Sequence, residues 1–403
     1  MAPRAGASRL RRACALCLAC AGGLAGAPAQ AALSDTIHPF VGIGYSYDDN
    51  LFRFDDGQTL PGEPRADSMR QSFAGATLER PFGRQVLTAS AKVTRVDFDH
   101  YTRLDYNAKD FNANLAWALG NQLSGNVGAS YSDVLTPFND VRTTDRNLRT
   151  QRGEFVDLNW LFHPRWQVHG KLSRDSYRYD LSSQKYLDRD VDTTEVGFDY
   201  VAPTGSTVGL QAQRRRADYL NFISGGTLNE GYDEDNVSLK VVWRVTPQTR
   251  LQLLAGHARR THDQLRFADS SGANGKLSAQ WSPTAALWFS GSLWRQYEPF
   301  EGGGVSYSLD RGVLLGAGWR PRDNLNFELQ LRRIERDFKG PLTTTVLLGA
   351  EDKTDLGSLN ATYMWRQNVQ LGASVFHEKR RANTFYSTNY KANGASLNVT
   401  LQF

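Results

Sequence analysis

From about residue 37 to the C-terminal Phe403, the sequence repeatedly alternates apolar and polar residues over stretches of about ten to fourteen residues. That period of two belongs to β-strands with chemically different faces. Leu325, Phe327, Leu329 and Leu331 point one way, and Asn324, Asn326, Glu328, Gln330 and Arg332 the other. The same pattern runs through Phe111 to Trp117, Leu123 to Tyr131, Val237 to Trp243, Val313 to Trp319 and Val369 to Val375. The polar faces carry too much Asn, Gln, Ser and Arg to be the outer surface of so many long sandwich strands. The segments have the form of membrane β-strands, apolar toward lipid and polar toward a lumen.

The connections sharpen this reading. Tight turns at Pro81-Phe82-Gly83-Arg84, Gly120-Asn121, His163-Pro164-Arg165, Pro203-Thr204-Gly205, Thr246-Pro247-Gln248, Ser282-Pro283-Thr284, Pro321-Arg322-Asp323 and Gln367-Asn368 alternate with longer polar loops. Short turns on one side and long loops on the other are the arrangement of an outer-membrane barrel, with the short side periplasmic. Trp117, Trp160, Tyr200, Trp243, Trp281, Trp319 and Trp365 each precede a tight turn by two to four residues, at spacings of 38 to 46. Such a row forms a periplasmic aromatic girdle, because indole and phenol rings favour the headgroup boundary. A period near 40 residues also fits a propeller, but a blade needs four short strands where this repeat has two long ones. The expected fold is therefore all-β, a transmembrane antiparallel up-and-down barrel of about 18 strands with both termini periplasmic. Such a barrel is wide enough for an aqueous lumen.

The N-terminus reads as an export signal. Arg4, Arg9, Arg11 and Arg12 precede an apolar stretch from Ala13 to Ala27, and Ala29-Gln30-Ala31 supplies a small-x-small cleavage site. Residues 1–31 are thus expected to be a cleaved signal peptide and 32–403 a single outer-membrane barrel domain. Cleavage removes four arginines and no acids, so the net charge falls from +5 to +1 and nucleic-acid binding is not expected. Cys14, Cys17 and Cys20 all lie in the signal, leaving no thiolate metal site and no disulfide. Lipidation at Cys20 is the competing reading, although Cys17 stands where a lipobox normally has Leu.

Arginines recur where strands climb away from the tight turns, and they outnumber lysines 37 to 10. Arg174, Arg214, Arg216, Arg259, Arg295 and Arg332 form a candidate basic collar about 25 Å up each strand, in contact with either an acidic polysaccharide or lipopolysaccharide phosphates. Adjacent arginines face opposite sides, so Arg214 and Arg216 share one fate and Arg215 the other. Trp288 and Trp294 oppose the apolar face of their strand and are candidate lumen aromatics. Tyr177, Tyr179, Tyr219, Tyr297, Phe338, Phe385 and Tyr386 fit an upper lipid girdle better than a sugar-stacking row. Seven dispersed histidines, with no nucleophile elbow and no metal-ligand spacing, give no catalytic residues, metal or cofactor. A lipid-hydrolysing Ser/His barrel is the enzymatic alternative.

The segment from Leu33 to Arg53, above all Tyr47-Asp48-Asp49-Asn50-Leu51-Phe52-Arg53, resembles the opening of EpsL-type outer-membrane barrels of exosortase-associated exopolysaccharide systems. Leu397, Val399, Leu401 and Phe403 resemble the C-terminal signal read by the barrel-insertion machinery, and a wider group of barrel porins shares the Asp-Asp-Asn-Leu segment. The resemblance implies a bacterial outer-membrane location after secretion to the periplasm, and a part in exopolysaccharide biosynthesis or export as a passive polymer conduit. Its implied partners are the outer membrane and lipopolysaccharide, exopolysaccharide, the insertion machinery and periplasmic polysaccharide-export proteins. A general or solute-selective diffusion porin is the alternative, and a closed scaffold for polysaccharide machinery is a third.

Overall fold

The computed structural model describes residues 36–139, 143–221, 231–263, 266, 269–299, 307–339, 350–383 and 387–403. The expected signal peptide lies outside them, as do Phe385 and Tyr386. The chain forms strands β1 (Ile37–Asp48), β2 (Asp67–Phe82), β3 (Gln85–Phe98), β4 (Tyr106–Leu119), β5 (Leu123–Leu135) and β6 (Leu148–His163). It continues through β7 (Trp166–Tyr179), β8 (Arg189–Val201), β9 (Thr207–Tyr219), β10 (Tyr232–Thr246), β11 (Thr249–Thr261) and β12 (Ser270–Trp281). β13 (Leu287–Pro299), β14 (Tyr307–Arg322), β15 (Leu325–Lys339), β16 (Glu351–Arg366), β17 (Val369–Ala382) and β18 (Tyr390–Gln402) complete one sheet. Each strand is antiparallel to its neighbours in sequence, and β18 closes on β1 from Phe40 opposite Gln402 to Asp48 opposite Gly394.

Closure follows from what lipid demands of a backbone. A bilayer core offers no water to unpaired N–H and C=O groups, so a sheet can span it only by pairing its own edges. All eight tight turns join strands at one end of this barrel, where β1 also begins and β18 ends, and Phe403 N donates to Pro39 O. Gly83 and Gly120 supply the positive φ that two of the turns need (64° and 59°). Register shifts between Trp160 and His163, Arg244 and Thr246, Trp319 and Arg322, and Met364 and Arg366 all fall beside short turns, so they leave the faces of the upper strands in phase.

The two faces sort as the alternation requires. Val41, Leu119, Leu210, Leu277, Leu315 and Leu397 point outward, Leu397 at 66% exposure, which only a lipid-facing wall makes reasonable for Leu. On the lumen face, large rings lie over glycines of the adjacent strand. Phe40 covers Gly75 and Phe73 covers Gly42, directly across the β1–β2 pair. Phe155 covers Gly128, His169 covers Gly197 and Phe376 covers Gly394 in the same way. These rings lie against the wall and leave the bore to the polar side chains.

A constriction lined by arginine and closed by the first and third loops

Two loops at the long-loop end fold against each other. Residues 49–66 bring Leu51 and Phe52 onto Val96, Phe98, Tyr101 and Leu104, and Phe52 meets Phe138 of the β5–β6 loop edge to face at 4.8 Å. The apolar cluster is shared: Leu51 and Phe52 come from the first loop, Val96 and Phe98 from β3, Tyr101 and Leu104 from the β3–β4 connection, and Phe138 packs against it from the third loop.

The Asp48–Arg53 segment fixes this arrangement. Asn50 is buried, and its Nδ2 donates to Phe54 O and Lys391 O, each at 2.9 Å, while its Oδ1 accepts from Phe54 N at 2.9 Å. Arg53 adopts φ 57° and reaches Asp48 at 2.8 Å and Glu378 at 3.1 Å. Burial alone would lower the Arg53 pKa, but Asp48 and Glu378 outweigh it and raise it above the ordinary value, so the guanidinium stays charged. Asp49 accepts from the N–H and side-chain amide of Asn393 at 2.7 Å. The first loop is thereby clasped to β17 and β18, across the seam that closes the barrel.

Below the clasp lies a cavity of about 480 Å³. Arg149, Gln151, Tyr177 and Arg189 line it from one side, Glu298, Ser308 and Asp310 from β13 and β14, and Arg332, Arg336, Glu378 and Arg380 from β15 and β17; Pro137 and Asn139 enter from the third loop. Five arginines face three carboxylates in this lining. Arg336 grips Asp352 through two bonds of 2.6 and 2.9 Å, Ser387 donates to the same carboxylate, and Arg380 donates to Asn139 O. Arg189 lies 4.2 Å over the Tyr177 ring. Arg332 has no carboxylate within ion-pair reach among the described residues, so its charge faces the bore. The cavity can hold an anion between one free and several buttressed guanidiniums, with the Tyr177 ring beside them.

Of the six collar candidates, Arg332 alone points into the lumen. Arg174, Arg214 and Arg216 share the outward face with Leu172 and Leu210, paired respectively with Asp192 (2.6 Å), Asp233 (2.8 Å) and Asp218 (3.3 Å). Arg259 lies opposite Asp235 and Arg295 opposite Gly275, also on outward positions. A period of two places Arg174, Arg214, Arg216 and Arg259 in phase with the lipid-facing leucines and away from the bore, whereas the Arg295 guanidinium lies in the β12–β13 seam, 3.6 Å from where a Cβ on Gly272 would stand. Arg215 points inward near Glu234, at 3.8 Å, as parity with Arg214 and Arg216 requires.

Trp288 and Trp294 face the lumen and lie over Gly318 and Gly312. Tyr177 lines the cavity, Tyr219 and Tyr297 meet Arg189 and Arg260, and Tyr179 and Phe338 are buried at the inner face, so these aromatics do not form an upper lipid girdle. Trp117, Trp160, Tyr200, Trp243, Trp281, Trp319 and Trp365 all occupy outward positions near the short turns, some in ring pairs such as Trp281–Phe289 at 5.4 Å. Leu397, Val399, Leu401 and Phe403 form an outward row on β18.

Sequence spacing did not reveal the pairing of His169 with Asp199 at 2.9 Å, since the two lie on neighbouring strands 30 residues apart. Lys240 Nζ stands 3.3 Å from His169 Nε2, where a hydrolase would need its nucleophilic hydroxyl. The arrangement is an ion-pair network of the lumen wall.

Residues 239–403 match the family described as putative beta-barrel porin 2. No curated protein matches the sequence. Among solved structures, the chain is similar to Pseudomonas aeruginosa OpdK crystallised with vanillate, at 11% identity and TM-score 0.48, over 92% of this chain and 99% of that one. It is similar to Acinetobacter baumannii OccAB3 at 12% identity and TM-score 0.46, over 92% and 99%. Pseudomonas aeruginosa OccK2 in complex with glucuronate aligns at 11% identity and TM-score 0.48, over 91% and 98%. A closed 18-stranded antiparallel barrel, apolar outside and polar inside, with a C-terminal part matching a barrel-porin family, is a porin-like barrel of the bacterial outer membrane.

Proposed function

We propose that the chain is a non-enzymatic, selective channel for acidic saccharides, with the short-turn end and both termini in the periplasm. The observation that carries this reading is the arginine-rich lining of the 480 Å³ constriction, where Arg332 is free to meet a carboxylate in transit. Lumen tyrosines such as Tyr177 supply ring faces, and passage is passive because a diffusion path needs no bond to be made or broken. In planar bilayers the barrel conducts with anion preference, and glucuronate reduces the current more than glucose does. A non-conducting barrel would return the scaffold reading.

The pathway we propose is exopolysaccharide biosynthesis and export, with exopolysaccharide and periplasmic export proteins as partners. The Tyr47–Arg53 resemblance supports it, and six of those residues, Asp48 to Arg53, build the clasp over the constriction. A polymer conduit requires the first and third loops to part; a solute-selective porin does not. Deletion of the gene distinguishes them: polymer retained in the periplasm supports export, and unchanged secretion supports the porin. The outward Arg174, Arg214, Arg216 and Arg259 we assign to lipopolysaccharide, the aromatic row near the short turns to the periplasmic interface, and the β18 row to the insertion machinery.

A further inference from the structure

The bore holds two tryptophans that the membrane does not explain. Of the nine in the chain, seven stand on the outer wall near the short turns, where indole rings favour the headgroup boundary. Trp288 and Trp294 stand on the lumen face of β13, six residues apart, or about 20 Å of strand. Each lies opposite a glycine of β14, Trp288 opposite Gly318 and Trp294 opposite Gly312. A Cβ on either glycine would overlap the indole, and both glycines are buried, so each ring lies with one face against the wall. The two tryptophans are themselves only half-buried, which leaves the other face to the bore.

The other rings laid over lumen glycines are closed off by the protein itself. Phe40 is buried, Lys92 stands 4.9 Å over Phe73, Lys171 5.4 Å over Phe155 and Arg53 5.8 Å over Phe376, and Lys240 meets His169. Among the described residues no cation covers Trp288 or Trp294. Polar groups instead flank the two indoles on both sides. On β12, Lys276 stands opposite Trp294, Ser278 bonds Ser292 between the rings at 2.9 Å, and Gln280 stands opposite Ser290. Beyond β14, Arg332 is in register with Ser292 through Leu314, and Gln330 and Glu328 are in register with Ser290 and Trp288. The free guanidinium of the constriction thus falls between the register positions of the two open faces.

An open indole face is a flat apolar surface in water. The axial C–H groups of a pyranose ring form another, so the two stack while the sugar hydroxyls keep to polar neighbours. We propose that Trp288 and Trp294 are two stacking platforms of one track for an acidic oligosaccharide, with Lys276 and Arg332 as ligands of its carboxylates. The track rests on the reading of the barrel as an acidic-saccharide channel, and adds to it the groups that recognise a chain rather than a single sugar. The rings stand too far apart to hold one pyranose, so they engage different units of the same molecule. Once one unit is stacked, the next meets its platform at high effective concentration, and an oligomer binds more tightly than its monomer.

The test is isothermal titration calorimetry on the purified barrel, which reads binding whether or not the channel conducts, with tetragalacturonate, galacturonate and uncharged cellotetraose as probes. Tetragalacturonate is expected to bind most tightly, and its Kd to rise about tenfold or more in Trp288→Leu/Trp294→Leu, which fills the wall without an aromatic face. Trp288→Phe/Trp294→Phe is expected to keep most of the affinity, and Phe155→Leu on β6 to lose none. In the unmutated barrel, tetragalacturonate is expected to slow oxidation of Trp288 and Trp294 by N-bromosuccinimide, located by peptide mass spectrometry, and not that of Trp319. An unchanged Kd in the Leu pair, an equal rise in Phe155→Leu, equal affinity for galacturonate and its tetramer, or no protection of the two indoles would overturn the track. Equal affinity for cellotetraose with the Leu pair still weakened would overturn the acidic-saccharide reading and the roles of Lys276 and Arg332. Absence of binding by either tetramer would overturn the track alone, since the zero-current potential of the channel reads its anion preference independently.

Discussion

Replacing Asn50 by Ala should release the first loop without unfolding the barrel. The amide makes three bonds of 2.9 Å, to Phe54 O, Lys391 O and Phe54 N, and the side chain is almost wholly buried. At about 1 kcal/mol for each neutral bond, the loop loses about 3 kcal/mol of local stability, or roughly a hundredfold in its open population. The strands do not depend on these bonds, so heat-modifiable mobility on gels should be unchanged. The assay is trypsin cleavage after Arg53 and Arg65 in the intact barrel, where cleavage follows the open population when reclosing is fast. A rate increase of about a hundredfold is expected, with larger current fluctuations in single channels. Unchanged cleavage would refute the role assigned to this amide, and loss of the folded band would show that the clasp is needed for assembly itself.

Three further substitutions probe other parts of the wall. Arg332→Glu changes the lumen charge by two units; at about 10 Å in water this raises anion energy and lowers cation energy by about 0.8 kcal/mol each, so the anion-to-cation permeability ratio should fall roughly fifteenfold by reversal potential. Gly312→Ala places a methyl carbon 2.0 Å from the Trp294 indole, which must swing into the bore, so conductance should fall and Trp294→Ala in the same chain should restore it. Glu234→Ala removes the carboxylate 2.6 Å from the fully buried Arg260 and should cost about 3–5 kcal/mol in urea unfolding, whereas Glu234→Leu with Arg260→Met should cost far less.

The barrel was legible because lipid imposes its pattern on every strand. Leu325 to Leu331 and the eight turn motifs were sufficient to place the strands, and the outward Trp row marked the short-turn end. The constriction was not legible, since it is assembled across the bore: Arg380 meets Asn139 and Asn50 meets Lys391, 241 and 341 residues apart in the chain. Parity grouped Arg214 with Arg216 and opposed Arg215, yet which group faced lipid depended on phase with Leu210. Tyr179 and Phe338 misled for the opposite reason. Their height suited a lipid girdle, but their phase turned them inward.

The most direct measurement is the zero-current potential of the purified barrel across a salt gradient, before and after Arg332, Arg336 and Arg380 are replaced together by Gln. An open, anion-preferring channel that loses its preference in the variant is the expected result. A closed barrel, a cation-preferring one, or a preference that survives the replacement would contradict the arginine constriction as the selecting element.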